Sequence, residues 1–253
     1  MTTKTLRRPV HLNRLLSKRG ILTRSQANAA ILAGRVAVNG RIIRDPGKPV
    51  AQSARIDLDA EATKAQPWRT ILFHKPRGVL TTRHDPEGRT TIYDVLGEVA
   101  RGLSPVGRLD WATSGLLLLT TDTRLADRLT DPGNAIPRVY AVTVRGKVTP
   151  ENCEKLQRGI VDKGEQLQAD DVVLQKSSGR ESHLVMTLTE GKNREIRRLC
   201  EAIGHPVTRL KRVAFGALTL GDLAPGAWRE LSESDVVSAL RRTDERSRRG
   251  ARL

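Results

Sequence analysis

Aromatic residues are scarce in this 253-residue chain: two Phe, two Tyr and three Trp. The core must therefore be aliphatic, and each aromatic side chain is a candidate for a particular task. Cysteine is scarcer still. Cys153 and Cys200 stand on separate predicted helices, at a spacing that makes neither a metal site nor a disulfide framework. Two buried thiols in a reducing cytoplasm are expected. No apolar stretch approaches the roughly 18 residues of a membrane span. The opening MTTKTLRRPVH lacks the apolar centre of a secretory signal. There is no P-loop, dinucleotide fingerprint or zinc spacing, which argues against an NTP-driven enzyme or a methyltransferase. Neither a cofactor nor a metal is expected.

Negative charge is in deficit. Lys and Arg number 44 against 28 Asp and Glu, a net charge of +16 with a pI near 10.8. Such a balance suits a nucleic-acid partner. Residues 1–66 hold 13 Lys+Arg and 4 Asp+Glu, so +9 of the +16 sits at the N-terminal end.

Residues 1–10 read as a basic tail. A unit over 11–58 follows. Leu12, Leu15 and Leu16 recur at helical spacing up to Gly20. Thr23 with Gln26 forms a capping box for a second helix, whose Ala27, Ala30 and Ile31 share a face before Gly34. VAVNGRII is a hairpin about Asn39-Gly40, and RIDLD is a further strand. Arg14, Lys18, Arg19, Arg24 and Arg35, with Arg41 and Arg44, put cations on this unit, and a phosphate backbone is their natural partner. An Ala-rich polar linker is expected over 59–68, a second domain over 69–240 and a charged, disordered tail over 241–253. There is no internal repeat.

The second domain opens with TILFHKPRGVLTT, a strand broken at Pro76. Its KPRG turn is read as one wall of a cleft, with Lys75 and Arg77 reaching phosphate. Gly107 to Asp122 is GRLDWATSGLLLLTTD. Leu116–Leu119 is an apolar run between turn signals, which reads as a buried strand. Asp110 then stands on a loop feeding a rigid strand, a favourable place for a catalytic carboxylate. RVYAVTVRGKV alternates like a half-buried strand and carries Tyr140. Thr149-Pro150 opens a helix, and Ser-Ser-Gly at 177–179 turns a hairpin. In KNREIRRLCEAIGHPV, Ile196, Leu199, Cys200 and Ile203 form one helical face. Between Lys192 and Arg212 seven cations stand against two acids.

Two resemblances organise these observations. GRLD, three residues, then SGLLLLTxD resembles the signature of the RsuA/RluB family of pseudouridine synthases, and KPRG, DPEGR and NREIRR extend the likeness. RLLSKRG, SQANAAILAGRVAVNG and RIDL resemble the small RNA-binding domain named for ribosomal protein S-four. Together they cover nearly all of residues 11–240. They imply an α+β fold: a small N-terminal αL-type RNA-binding domain, then a mixed, largely antiparallel-sheet catalytic domain. They imply that Asp110 is the essential carboxylate, that Tyr140 stacks on the base and serves the proton at carbon-5, and that Arg197 pairs with Asp110, with Arg198 one residue off as the alternative. Arg108, Arg194 and Arg198 are then RNA contacts, and Arg108 helps to expel the uridine. Trp111, larger than the residue expected after the Asp, would narrow the cleft.

The NREIRR form and the DPEGR stretch are closer to the RluB-like branch, which modifies large-subunit rRNA. The expected partner is ribosomal RNA, free or in a pre-ribosomal particle, met by a cytoplasmic monomer away from membranes. The alternatives are the same reaction on small-subunit (16S) rRNA, or a noncatalytic rRNA-binding assembly factor. A DNA-binding regulator leaves the large second domain unexplained.

Overall fold

The computed structural model describes residues 9–59 and 67–237; residues 1–8, 60–66 and 238–253 lie outside the described residues, and with them most of the expected tails and linker. The chain divides into two units, Met1–Pro67 and Trp68–Leu253.

In the first unit the helices span Leu12–Lys18 and Arg24–Leu32. The second begins on the expected capping box: Gln26 N donates to Thr23 Oγ1 at 3.1 Å, and Thr23 N to Gln26 Oε1 at 2.8 Å. Val36–Val38 and Arg41–Ile42 form the hairpin. Asn39 and Gly40 both take positive φ (50° and 79°), the turn whose twist suits paired strands. Ile56–Leu58 adds a third strand. Leu12, Leu16, Ala27, Ile31 and Val36, all fully buried, make the core.

The second unit is built on a nine-stranded sheet. Its main path runs Asp171–Ser177, Glu181–Leu188, Arg138–Arg145, Val207–Phe215, Ser114–Thr120, Thr70–Lys75, Trp228–Leu231. Neighbours pair antiparallel except Val207–Phe215 with Ser114–Thr120, which run parallel. Ser114–Thr120 is the leucine strand. Leu116 and Leu118 pack into one core, and Leu117 and Leu119 into another across the sheet. Burial on both faces explains an unbroken leucine run where a one-sided strand would alternate. Gly115 makes the parallel pairing possible: a Cβ there would stand 2.2 Å from the Arg212 carbonyl oxygen.

Helices Thr123–Thr130, Pro150–Arg158 and Glu195–Ala202 flank the sheet. Asp122 caps the first by accepting from the amides of Arg124 and Leu125. Cys153 and Cys200 are free and buried as expected. Burial pushes the Cys200 thiol up to about 12. Among the described residues no helix is long and apolar enough to cross a membrane.

Candidate active site

Asp110 stands on the loop before the leucine strand, and its side chain is exposed. The loop backbone is held from outside at five consecutive carbonyl oxygens. Thr81 Oγ1 donates to that of Leu109 (2.8 Å), Lys75 Nζ to those of Asp110 (3.2 Å) and Thr113 (2.8 Å), Gly78 N to that of Trp111 (2.8 Å), and Arg197 Nη2 to that of Ala112 (3.2 Å). The carboxylate itself has no hydrogen-bond or ion-pair partner among the described residues. A bare carboxylate on an immobilised backbone is available to a ligand at a defined position.

The loop borders a cavity of about 340 Å³, which Tyr140 and Arg197 also line. Arg108 and Arg194, both exposed, stand on its edge. Five further charged residues line it that the sequence reading did not name as site residues: Arg138, Glu190, Lys192, Glu195 and Arg212. A signal existed for two of them. Arg138 shares strand parity with Tyr140 and Val142, and Arg212 with Leu210, so each arginine occupies a core-facing position. Glu195 is 4% exposed and accepts from Lys192 N at 3.1 Å. Burial, then the neighbouring Glu190 carboxylate, pushes it up to about 7.

Arg197 differs from the expectation. It is buried beneath the loop, donates to the carbonyl oxygens of Ala112 and Val207, and among the described residues makes no direct bond to the exposed Asp110 carboxylate. The two charges still interact: burial and Arg194 lower the Arg197 guanidinium from its ordinary pKa, the Asp110 carboxylate opposes, and Arg77 adds a push down.

Two expected RNA contacts are corrected. Lys75 is 0% exposed, and its ammonium points inward to the carbonyl oxygens of Pro76, Asp110 and Thr113. Three donors meet three acceptors, so no phosphate is needed to satisfy it. Burial pulls it down to about 8, against the Asp110 charge. Arg198 turns away from the cavity, with Nε on Asp162 (2.5 Å) and Nη1 on Glu165 (2.6 Å), which removes it both as an RNA contact and as the alternative partner of Asp110. Arg89 of DPEGR is likewise held in its own loop by Asp85 and Glu87. Trp111 is 51% exposed and does not line the cavity, so it does not narrow it. Arg77, Arg14, Lys18, Arg24 and Arg35 are exposed. Arg19 is exposed but braces its own unit, donating to the carbonyl oxygens of Gln52 and Ala54.

A free carboxylate facing a cavity rich in arginine, on a chain with a separate basic module, defines an enzyme that works on a polyanion. Residues 69–202 match the RNA pseudouridylate synthase family, and residues 12–56 match the S4 domain. The chain is 40% identical over 237 residues to the ribosomal large subunit pseudouridine synthase B of Vibrio cholerae, covering 89% of this chain and 72% of that protein. It is 34% identical over 227 residues to the protein of the same name from Bacillus subtilis, covering 89% and 93%. A crystal structure of a pseudouridylate synthase is similar in fold, with a TM-score of 0.65 at 27% identity, covering 90% of this chain and 98% of that one. The chain belongs to the RNA pseudouridine synthases, a family of isomerases, and its S4 domain binds RNA.

Proposed function

We propose that this enzyme isomerises one uridine of large-subunit (23S) ribosomal RNA to pseudouridine, with Asp110 as the catalytic carboxylate. The observation that carries the reading is the Asp110 loop, clamped at five carbonyl oxygens while its carboxylate is bare beside a cavity shared with Tyr140 and Arg197. The choice of subunit is supported by the relatives at 34–40% identity that carry the large-subunit name.

The reaction breaks the bond from ribose C1′ to N1, turns the uracil and joins C1′ to C5. N1 gains a proton and C5 loses one, with no net redox change. Asp110 supplies the carboxylate that attacks C1′ or takes the neighbouring ribose proton. Tyr140 gives the base a stacking surface and serves the C5 proton. Arg197 steadies the loop and keeps a positive charge near the carboxylate. Arg108, Arg194 and Arg77 meet phosphates around the flipped nucleotide, whose extrusion costs a few kcal/mol. The RNA-binding domain over 11–58 docks structured rRNA by charge, and the catalytic domain over 69–240 acts as a cytoplasmic monomer on free rRNA or a pre-ribosomal particle.

The test is tritium release from rRNA labelled at uridine C5. Wild type releases tritium, and Asp110→Asn loses roughly 10³-fold or more, the scale of losing a reacting group. The variant keeps its fold because the side chain it changes is exposed. Mapping the product then distinguishes 23S from 16S rRNA. RNA binding without release from either would leave a noncatalytic assembly factor.

A further inference from the structure

Two buried guanidiniums on the cavity keep an unpartnered nitrogen among the described residues, Arg197 and Arg212, and Arg212 is the less engaged of the two. Arg212 is 3% exposed. Of the five N–H donors of an arginine, one is engaged, Nε to the Leu116 carbonyl oxygen at 2.7 Å. Nη2 is buried without a partner among the described residues. Arg138, beside it, is bonded to the carbonyl oxygens of Thr189, Glu190 and Leu129. The Phe215 ring lies 5.1 Å from the Arg212 guanidinium and 5.2 Å from that of Arg138. A bulge between Arg212 and Ala214 brings Phe215 to the cavity side with Arg212. Thus the guanidinium is fixed at Nε and on its ring neighbour, and its outer end is left unbonded.

This belongs to a wider pattern. Thr113, Arg197 and Arg212 each carry a buried side-chain polar atom without a partner among the described residues, and all three line this one cavity. Leaving a buried polar group unpaired costs about 1–3 kcal/mol. A cluster of such groups around one cavity indicates a polar ligand that completes them. Arg212 is also the direct cross-strand partner of Tyr140. Side chains so paired on one face stand about 5 Å apart at Cβ, and both residues line the same cavity.

We infer that Arg212 donates a hydrogen bond to a carbonyl oxygen of the flipped uracil, selecting uracil and holding the ring while it turns. The inference rests on the reading of this cavity as the uridine site. The chemistry lies in the symmetry of the ring's edge. Uracil presents O2, N3–H and O4, an acceptor, a donor and an acceptor, symmetric about the axis through N3 and C6. Once N1 has left C1′, turning the ring by half a revolution about that axis puts C5 where N1 stood. The same turn exchanges O2 with O4. A donor placed against one carbonyl before the turn meets the other after it, so one fixed guanidinium serves both orientations. Cytosine has an amino group at C4. In one of its two orientations it would set donor against donor, which a buried site rejects strongly.

The test uses the full-length protein and synthetic fragments of the rRNA spanning the uridine found by mapping the product. That position carries uridine, 2-thiouridine or 4-thiouridine. Sulfur is a weaker acceptor than oxygen, and N3–H is kept. Binding is measured in the Asp110→Asn background, so the readout does not depend on chemistry. One of the two thio substitutions should weaken binding about tenfold, the scale of one hydrogen bond to a charged donor. Adding Arg212→Met should weaken the uridine fragment by a similar factor and abolish the thio effect. Arg212→Lys, which retains a cationic donor, should recover part of both. If Arg212→Met does not fold, Arg212→Lys alone should show a reduced thio effect. A thio effect undiminished in the Arg212 variants, or no thio effect at all, overturns the inference while the uridine site stands. A wild type that releases no tritium from any rRNA removes the uridine reading, and the inference with it.

Discussion

Lys75 has no exposed surface, and its ammonium donates to the carbonyl oxygens of Pro76, Asp110 and Thr113. Methionine matches its bulk but leaves the Pro76 and Thr113 carbonyls without this donor and the Asp110 carbonyl with only the Thr113 amide. Lys75→Met should lower stability by about 2 kcal/mol, since buried unpaired acceptors cost about 1 kcal/mol or more each. It should also lower kcat more than it raises KM, because the loop positions the reacting group. Thermal melts and steady-state kinetics check both. Glu195 makes a prediction in pH. Its folded pKa, about 7, lies above the ordinary 4.5. Folding therefore favours the protonated form, and that contribution is full below 4.5 and lost as pH rises through 7. Glu195→Gln, which cannot ionise, should match wild type near pH 4.5 and exceed it at pH 8 by on the order of 2 kcal/mol. Melts at the two pH values decide it, and a difference independent of pH would refute the assignment.

At the scale of elements, the leucine strand is the member on which the sheet and the site both depend. It is buried on both faces, and the loop that feeds it carries Asp110. Its parallel neighbour lies so near that Gly115, at φ +109°, admits no side chain. Gly115→Ala would drive a methyl group into the backbone of Arg212 and should cost at least about 3 kcal/mol, as steric conflicts in a core do. Gly78, at φ +82°, has nothing within 4 Å of a Cβ. Gly78→Ala should cost only about 1 kcal/mol, the backbone term alone. Chemical denaturation of the two variants separates crowding from strain, and equal losses would contradict this packing.

At the scale of the whole molecule, the excess of positive charge is divided between two tasks. In the first unit, Arg14, Lys18 and Arg24 are exposed and suit phosphate contacts. In the second, Arg197 and Arg212 are buried at the cavity. Replacing Arg14, Lys18 and Arg24 together by Ala should weaken rRNA binding and reduce the slope of log affinity against log salt by about 2–3, close to one per lost phosphate contact. The single-turnover rate at saturating RNA should hold. Binding titrations between low and moderate salt measure the slope, and an unchanged slope would place the RNA on another surface.

The sequence by itself determined what depends on near neighbours. The capping box at Thr23, the helix start at Thr149-Pro150, the Asn39-Gly40 turn, the leucine strand and the loop position of Asp110 all follow from residues within a few positions of one another. Only the tertiary structure decided which charges face inward. Lys75 reads as a phosphate contact and Arg198 as an RNA contact or a partner of Asp110, yet two of the three acceptors of Lys75 lie 35 and 38 residues away, and the carboxylates that hold Arg198 lie 36 and 33 away. The acceptor of Arg212 Nε is 96 residues away. A long cationic side chain is soluble in water or satisfied by buried carbonyls, and which state it takes is set by partners that only the folded sheet brings together.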